Sequence, residues 1–120
     1  MARNFHKNIP LESKPKSQEW GCMEWLMEDS LSPGSDMSVA LMVLQGEKTA
    51  PRHRHPNCNE FIYVIEGCVE ITMDGKAVIL NQGDSVMNPA GTIHSLRNPG
   101  EEDARMLVSY SEGERIYEEV

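Results

Sequence analysis

The sequence predicts an all-β domain, a sandwich or barrel of the jelly-roll or Greek-key kind, and three observations carry that prediction. Short apolar runs recur along the chain between Gly, Pro, Asn and Asp punctuation. No amphipathic segment of helical period is long enough to compete with them. Asp74-Gly75 separates two of the runs, and a two-residue type I′ turn needs positive φ at both central positions, which Asp and Gly tolerate.

Each element follows from its own residues. Beyond Met1, residues 1–19 hold Phe5, Ile9 and Leu11 as their only large apolar side chains, so they form an arm that is flexible or docked on another surface. From Trp20 the run Cys22, Met23, Trp25, Leu26, Met27 reads as a strand, stopped by the turn-formers of 29–36. A strand over 37–44 ends at Gln45-Gly46. His53 and His55 lie two apart, and the two-residue period of a strand puts both imidazoles on one face. Pro56-Asn57 breaks the run and resets the parity, so a new strand near Asn59 turns Glu60, Ile62 and Val64 inward. Strands at 69–73 and 76–80 form a hairpin across Asp74-Gly75. Those at 85–87 and 93–97 stop at Pro89-Ala90-Gly91 and Asn98-Pro99-Gly100, and a strand over 106–110 closes the series. The β-domain therefore spans 20–112. Residues 113–120 form an acidic tail, with Ile116, Tyr117 and Val120 interspersed, that packs weakly or frays.

At 120 residues there is room for one domain. A formal net charge of −8 repels phosphate backbones and anionic lipid, which argues against nucleic acid and membrane partners. The longest apolar run, 39–44, is far short of the roughly 20 residues that span a bilayer. The first residues lack the apolar stretch of a secretory signal, and Cys22, Cys58 and Cys68 are odd in number and unpatterned. A reducing cytoplasm is the expectation.

Three of the four histidines, His53, His55 and His94, fall in the central strands. With Glu60 they would make a mixed nitrogen and oxygen site of the kind that suits divalent Fe, Mn, Co, Ni or Zn. An octahedral ion held by four side chains keeps open positions for a chelating substrate or dioxygen. Its net charge with one carboxylate, about +1, favours anionic or enolic oxygen ligands despite the acidic exterior.

These residues resemble the cupins. The first cupin motif reads here Gly46-EKTAPR-His53-Arg54-His55-PNCN-Glu60-FIYVIE-Gly67, its first spacer one residue longer than usual. The second reads Gly83-DSVMN-Pro89-Ala90-Gly91-TI-His94-SLR-Asn98, without departure. The resemblance implies a double-stranded β-helix, or jelly-roll barrel, with a divalent transition metal in its mouth held by His53, His55, Glu60 and His94. It also implies a homodimer in which an N-terminal segment crosses to the partner.

The remaining residues have plainer roles. Cys58, beside the first motif, reads as a buried or half-buried thiol, although a thiolate there would compete as a soft ligand. Cys22 and Cys68 read as small core residues and most of the eight methionines as core filling. Strand parity turns Tyr63 and Arg97 away from the metal. Trp20, Trp25 and Phe61 suggest packing or a dimer interface.

The implied function is a metal-dependent small-molecule enzyme acting on an oxygen-chelating substrate of enol, keto or hydroxy-acid type. The resemblance offers dioxygenase, isomerase, decarboxylase and lyase chemistry, and Glu60 doubles as a general base when it leaves the metal. The alternative is a non-catalytic module that binds or senses a small ligand. A metal that only stabilises the barrel ranks last, because structural sites are usually closed.

Overall fold

The structure, a computed structural model, describes residues 15–120. Eleven strands make up its regular structure, with no helix among the described residues. In chain order they are β1 (Lys16–Gln18), β2 (Gly21–Met27), β3 (Ser38–Leu44), β4 (Thr49–Arg54), β5 (Glu60–Glu66), β6 (Cys68–Met73), β7 (Lys76–Asn81), β8 (Ser85–Asn88), β9 (His94–Arg97), β10 (Ala104–Tyr110) and β11 (Glu118–Glu119). One sheet has the order β1-β2-β3-β10-β5-β8 and the other β11-β4-β9-β6-β7. From β3 onward the chain crosses between sheets at nearly every connection, the winding of a double-stranded β-helix.

The sheets enclose the core that the alternation predicts. In β3, Ser38, Ala40, Met42 and Leu44 are buried while the residues between them are half exposed. Ile62 and Val64 of β5 lie beside Val108 and Met106 of β10 in one sheet and share a buried cluster with Val69 and Ile71 of β6 in the other. Each such side chain contributes about 1.5–3 kcal/mol by leaving water. The 69–73 and 76–80 runs form the expected hairpin, Met73 opposite Lys76, with φ of 48° at Asp74 and 79° at Gly75. Gly46 has a different reason to be glycine: a Cβ there would lie 2.1 Å from the Glu101 carbonyl oxygen. Asn98 locks the same corner, its Nδ2 donating to the carbonyls of Leu44 and Glu102 at 2.9 and 2.8 Å.

Two elements differ from the sequence reading. Residues 16–18, placed in the arm, form β1 and pair with β2. The tail, expected to pack weakly or fray, carries β11, which pairs with β4 through Glu118↔Arg54 and Glu119↔His53. Both are edge strands with exposed side chains, held by backbone hydrogen bonds and, in β11, by Arg54 Nε donating to Glu118 Oε1 at 2.8 Å, so no apolar period marks them. The rest of the expected arm, 1–14, lies outside the described residues. Cys22 and Cys68, read as core, are half buried, because alternation in β2 and β6 gives the inner face to Met23 and Val69. No helix among the described residues is long and apolar enough to cross a membrane.

Candidate metal centre

His53 lies on β4 directly opposite His94 on β9. An irregularity between Ala50 and His53 lets these two residues, three apart, both face inward, and His55 follows two residues after His53. Glu60 opens β5 where Tyr110 of β10 and Asn88 of β8 flank it. Two sheets thus deliver three imidazoles and a carboxylate to one point: one ligand atom from each lies within 4.8 Å of all the others. All four side chains are buried, none more than 7% exposed.

The hydrogen bonds orient each imidazole. Nδ1–H of His53 donates to the Pro51 carbonyl at 2.7 Å, that of His55 to Ile116 at 2.8 Å and that of His94 to Thr92 at 3.0 Å. Fixing Nδ1 as the donor leaves a lone pair on every Nε2 aimed inward. His55 Nε2 and His94 Nε2 are buried without a hydrogen-bond partner of good geometry. Yet His94 Nε2 lies 2.9 Å from Glu60 Oε1, and His55 Nε2 lies 3.9 Å from it. Lone pairs facing one another in a buried space demand a cation or a proton between them. The donor set and the orphaned nitrogens therefore fit a divalent transition metal.

Electrostatics without the ion are consistent with that demand. Burial pulls the His53 pKa down to about 4 and lowers that of His55. Burial also acts to lower His94, but the adjacent Glu60 carboxylate outweighs it and raises the imidazole above its ordinary value. Burial would raise Glu60, but His94, His55 and the Tyr110 hydroxyl hold its carboxyl below the usual range. Tyr110 Oη donates to Glu60 Oε2 at 2.6 Å and Asn88 Nδ2 to Oε1 at 3.1 Å. Burial, with the charge of Glu60, keeps the Tyr110 phenol protonated by raising its pKa well above its ordinary value.

A cavity of about 330 Å³ opens beside the cluster, with His53 and Glu60 in its wall. Trp20, Met23, Met42, Tyr110, Arg115 and Tyr117 supply much of the rest. Its size and mixed lining are those of a small-molecule site. The sequence reading brought together the four residues that do converge. Tyr63 and Arg97 face away as parity predicts, one exposed and the other paired with Glu70 at 3.2 Å. Cys58 is buried and outside the converging set, and burial raises its thiol pKa. Missed were Tyr110, Asn88 and the tail. Tyr110 was legible from the alternation Met106, Val108, Tyr110, whereas Asn88 required the β5–β8 register. Nothing in the sequence marks the tail residues, of which Tyr117 stacks on His53 with 4.6 Å between centroids.

Comparison with known proteins agrees with this architecture. A family profile described as a cupin domain matches residues 40–110. "Polyketide synthase CurC" of Streptomyces cyaneus is 29% identical over 100 residues, covering 83% of this chain and 65% of that protein. Quercetin 2,3-dioxygenase of Bacillus subtilis is 34% identical over 86 residues, covering 72% of this chain and 25% of that protein. The chain thus spans less than two thirds of the length of either relative. Among solved structures, oxalate decarboxylase of Lactobacillus farciminis, crystallised as a formate complex, superposes with a TM-score of 0.84 at 19% identity. That match covers 92% of this chain and 34% of the other, a likeness of fold.

Proposed function

Because this chain belongs to the cupin family, we propose that it is a metal-dependent catalyst acting on a small substrate that chelates through oxygen. One observation carries the proposal: four buried ligand groups converge, two with unsatisfied nitrogens, in the wall of a cavity large enough for a small molecule. His53, His55, Glu60 and His94 would hold Fe, Mn, Co, Ni or Zn. When bound, the ion would supply Lewis acidity toward enol, keto or hydroxy oxygens. Dioxygenase, isomerase, decarboxylase and lyase reactions all draw on that chemistry, and the relatives named for dioxygenase and decarboxylase activity support this range.

The chain's own residues supply the rest. The carbonyls of Pro51, Ile116 and Thr92 hold the imidazoles in one tautomer. Tyr110 and Asn88 hold the Glu60 carboxylate in the cavity wall, where it would take a proton from a substrate carbon or hydroxyl as general base when it leaves the metal. Aromatic and methionine side chains in the wall lower the local polarity and so strengthen the electrostatics within. A homodimer belongs to the same reading. Leu41, Leu107 and Tyr63 align across β3, β10 and β5 on the face turned from the core, with Ile65 and Met87 exposed nearby.

Elemental analysis of purified protein and of His53→Ala and His94→Ala tests the metal reading. Wild type carries one transition metal per chain, both variants lose it and both keep the fold; retained stoichiometry in the variants refutes the ligand set. Metal-loaded protein incubated with diketones, hydroxy acids and keto sugars, with oxygen uptake followed, consumes one class. Ligand-dependent melting shifts without product point to a sensing module instead. Sedimentation equilibrium of wild type and Leu41→Arg checks the dimer.

A further inference from the structure

Arg115 stands in the cavity wall, and among the described residues no carboxylate pairs with it. Its segment follows β10 and is pinned on both sides. Ile116 N–H donates to Asn57 Oδ1 at 2.9 Å, Asn57 Nδ2 to the Glu114 carbonyl at 2.9 Å, and Asp29 N–H to the Gly113 carbonyl at 2.8 Å. The side chain is half buried, and its guanidinium carbon lies 5.1 Å from the centroid of Trp25, 5.2 Å from Tyr110 and 5.3 Å from Tyr117. Three ring faces stiffen it and favour its charge. Its one polar contact among the described residues is Nη2 to Met23 Sδ at 3.9 Å, and no carboxylate or carbonyl oxygen there accepts from it. Both acids in the cavity wall are engaged: Glu60 by Tyr110, Asn88 and the imidazoles, Glu119 by the Tyr117 hydroxyl at 3.2 Å. A guanidinium carries five donors in a planar fork matched to carboxylate.

We infer that Arg115 is the anion anchor of this cavity and that the substrate is a small molecule carrying a carboxylate apart from its chelating oxygens. The cavity then has two cationic poles within a chain of net charge −8, the metal centre at one wall and the guanidinium at another. The rings of Tyr117 and Tyr110 are engaged by His53 and His55 as well as by Arg115, so they brace the anchor and the imidazoles together. This inference rests on the chelating-substrate reading above and adds the charge of the molecule to it.

The test uses zinc-loaded protein and two probes with the same chelating head, 3,4-dihydroxybenzoate and its methyl ester. Binding is read by calorimetry and tryptophan fluorescence, with zinc content measured in parallel. Wild type binds the acid on the order of tenfold or more tighter than the ester, as a charge-assisted hydrogen-bonded pair is worth about 1.5–3 kcal/mol. Arg115→Met removes that gap by weakening the acid, while ester affinity and zinc content stay within about twofold, as the direct cost of one charge-assisted pair predicts. Arg115→Gln does the same should the Met variant fold poorly. Equal binding of acid and ester by wild type overturns the anchor, as does a gap that survives both substitutions. Retained zinc with neither probe bound removes the chelating-substrate reading, and the anchor with it.

Discussion

Replacing Tyr110 with phenylalanine tests how the candidate centre is held together before any metal arrives. The hydroxyl donates a 2.6 Å hydrogen bond to Glu60 Oε2, and the Glu60 side chain is 4% exposed, so water does not replace the lost donor. The ring would keep its packing on Trp25, 5.8 Å between centroids, and on His55 at 5.0 Å. What disappears is one hydrogen bond to a buried charged group, worth about 1.5–3 kcal/mol. At roughly 4 °C per kcal/mol for a domain of this size, metal-free Tyr110→Phe melts about 6–12 °C lower. The loss depends on pH. Glu60 has a folded pKa below its ordinary 4.5, so its contribution is present above that value and fades as pH falls through the folded pKa. The substitution gives up part of this contribution, so the gap between the proteins is wide from pH 7 down to about pH 4 and closes as pH falls toward the folded pKa of about 2. Urea unfolding of both metal-free proteins at pH 7 and pH 2.5 measures it. Equal stability at pH 7, or a gap as wide at pH 2.5, refutes the hydrogen bond as a support of the ionised carboxylate.

Metal loading at pH 5.5 displaces between one and two protons. His94, raised, surrenders a whole proton there, while His53 at about 4 has almost none to lose and His55, lowered, only a fraction. Calorimetry in buffers of different ionisation enthalpy reads the number, and a release close to three, as from unperturbed imidazoles, refutes the assignment. Deleting residues 114–120 takes the Ile116 carbonyl from His55 Nδ1 and the Tyr117 ring from His53. Metal affinity falls about 10–100-fold, the usual cost of losing such a support, as measured by competition with a chromophoric chelator. Unchanged affinity would show that the tail does not orient the imidazoles.

Much of the architecture was legible because burial here follows the strand period. The β3, β5 and β10 runs alternate, the Asp74-Gly75 turn has the φ values its residues imply, and the four motif side chains do converge. The reading of His53 and His55 as neighbours on one face holds because both lie beyond the irregularity after Ala50, whereas parity counted across it fails. β1 and β11 escaped notice because their pairing is a backbone matter and their side chains face solvent. Arg115 and Tyr117 escaped with β11: an acidic tail with scattered apolar residues carries no period, and its return to the centre is seen in the pairing of Glu119 with His53, the Ile116 carbonyl on His55 and the Tyr117 ring on His53. Asn88 depended on which strand lies beside Glu60, which is a question of topology.

The side chains that converge on the centre come from β4, its following turn, β5 and β9, while much of the cavity's surface comes from β1, β2, β3 and the segment before β11. One set can therefore vary while the other stays in place. Gln18, Met23 and Met42 are positions where substitution would retune what the cavity admits without touching the four converging side chains. The last few residues belong to both sets, because Ile116 and Tyr117 brace imidazoles while Arg115 lines the cavity, so a change there alters the rim and the aim of the centre together.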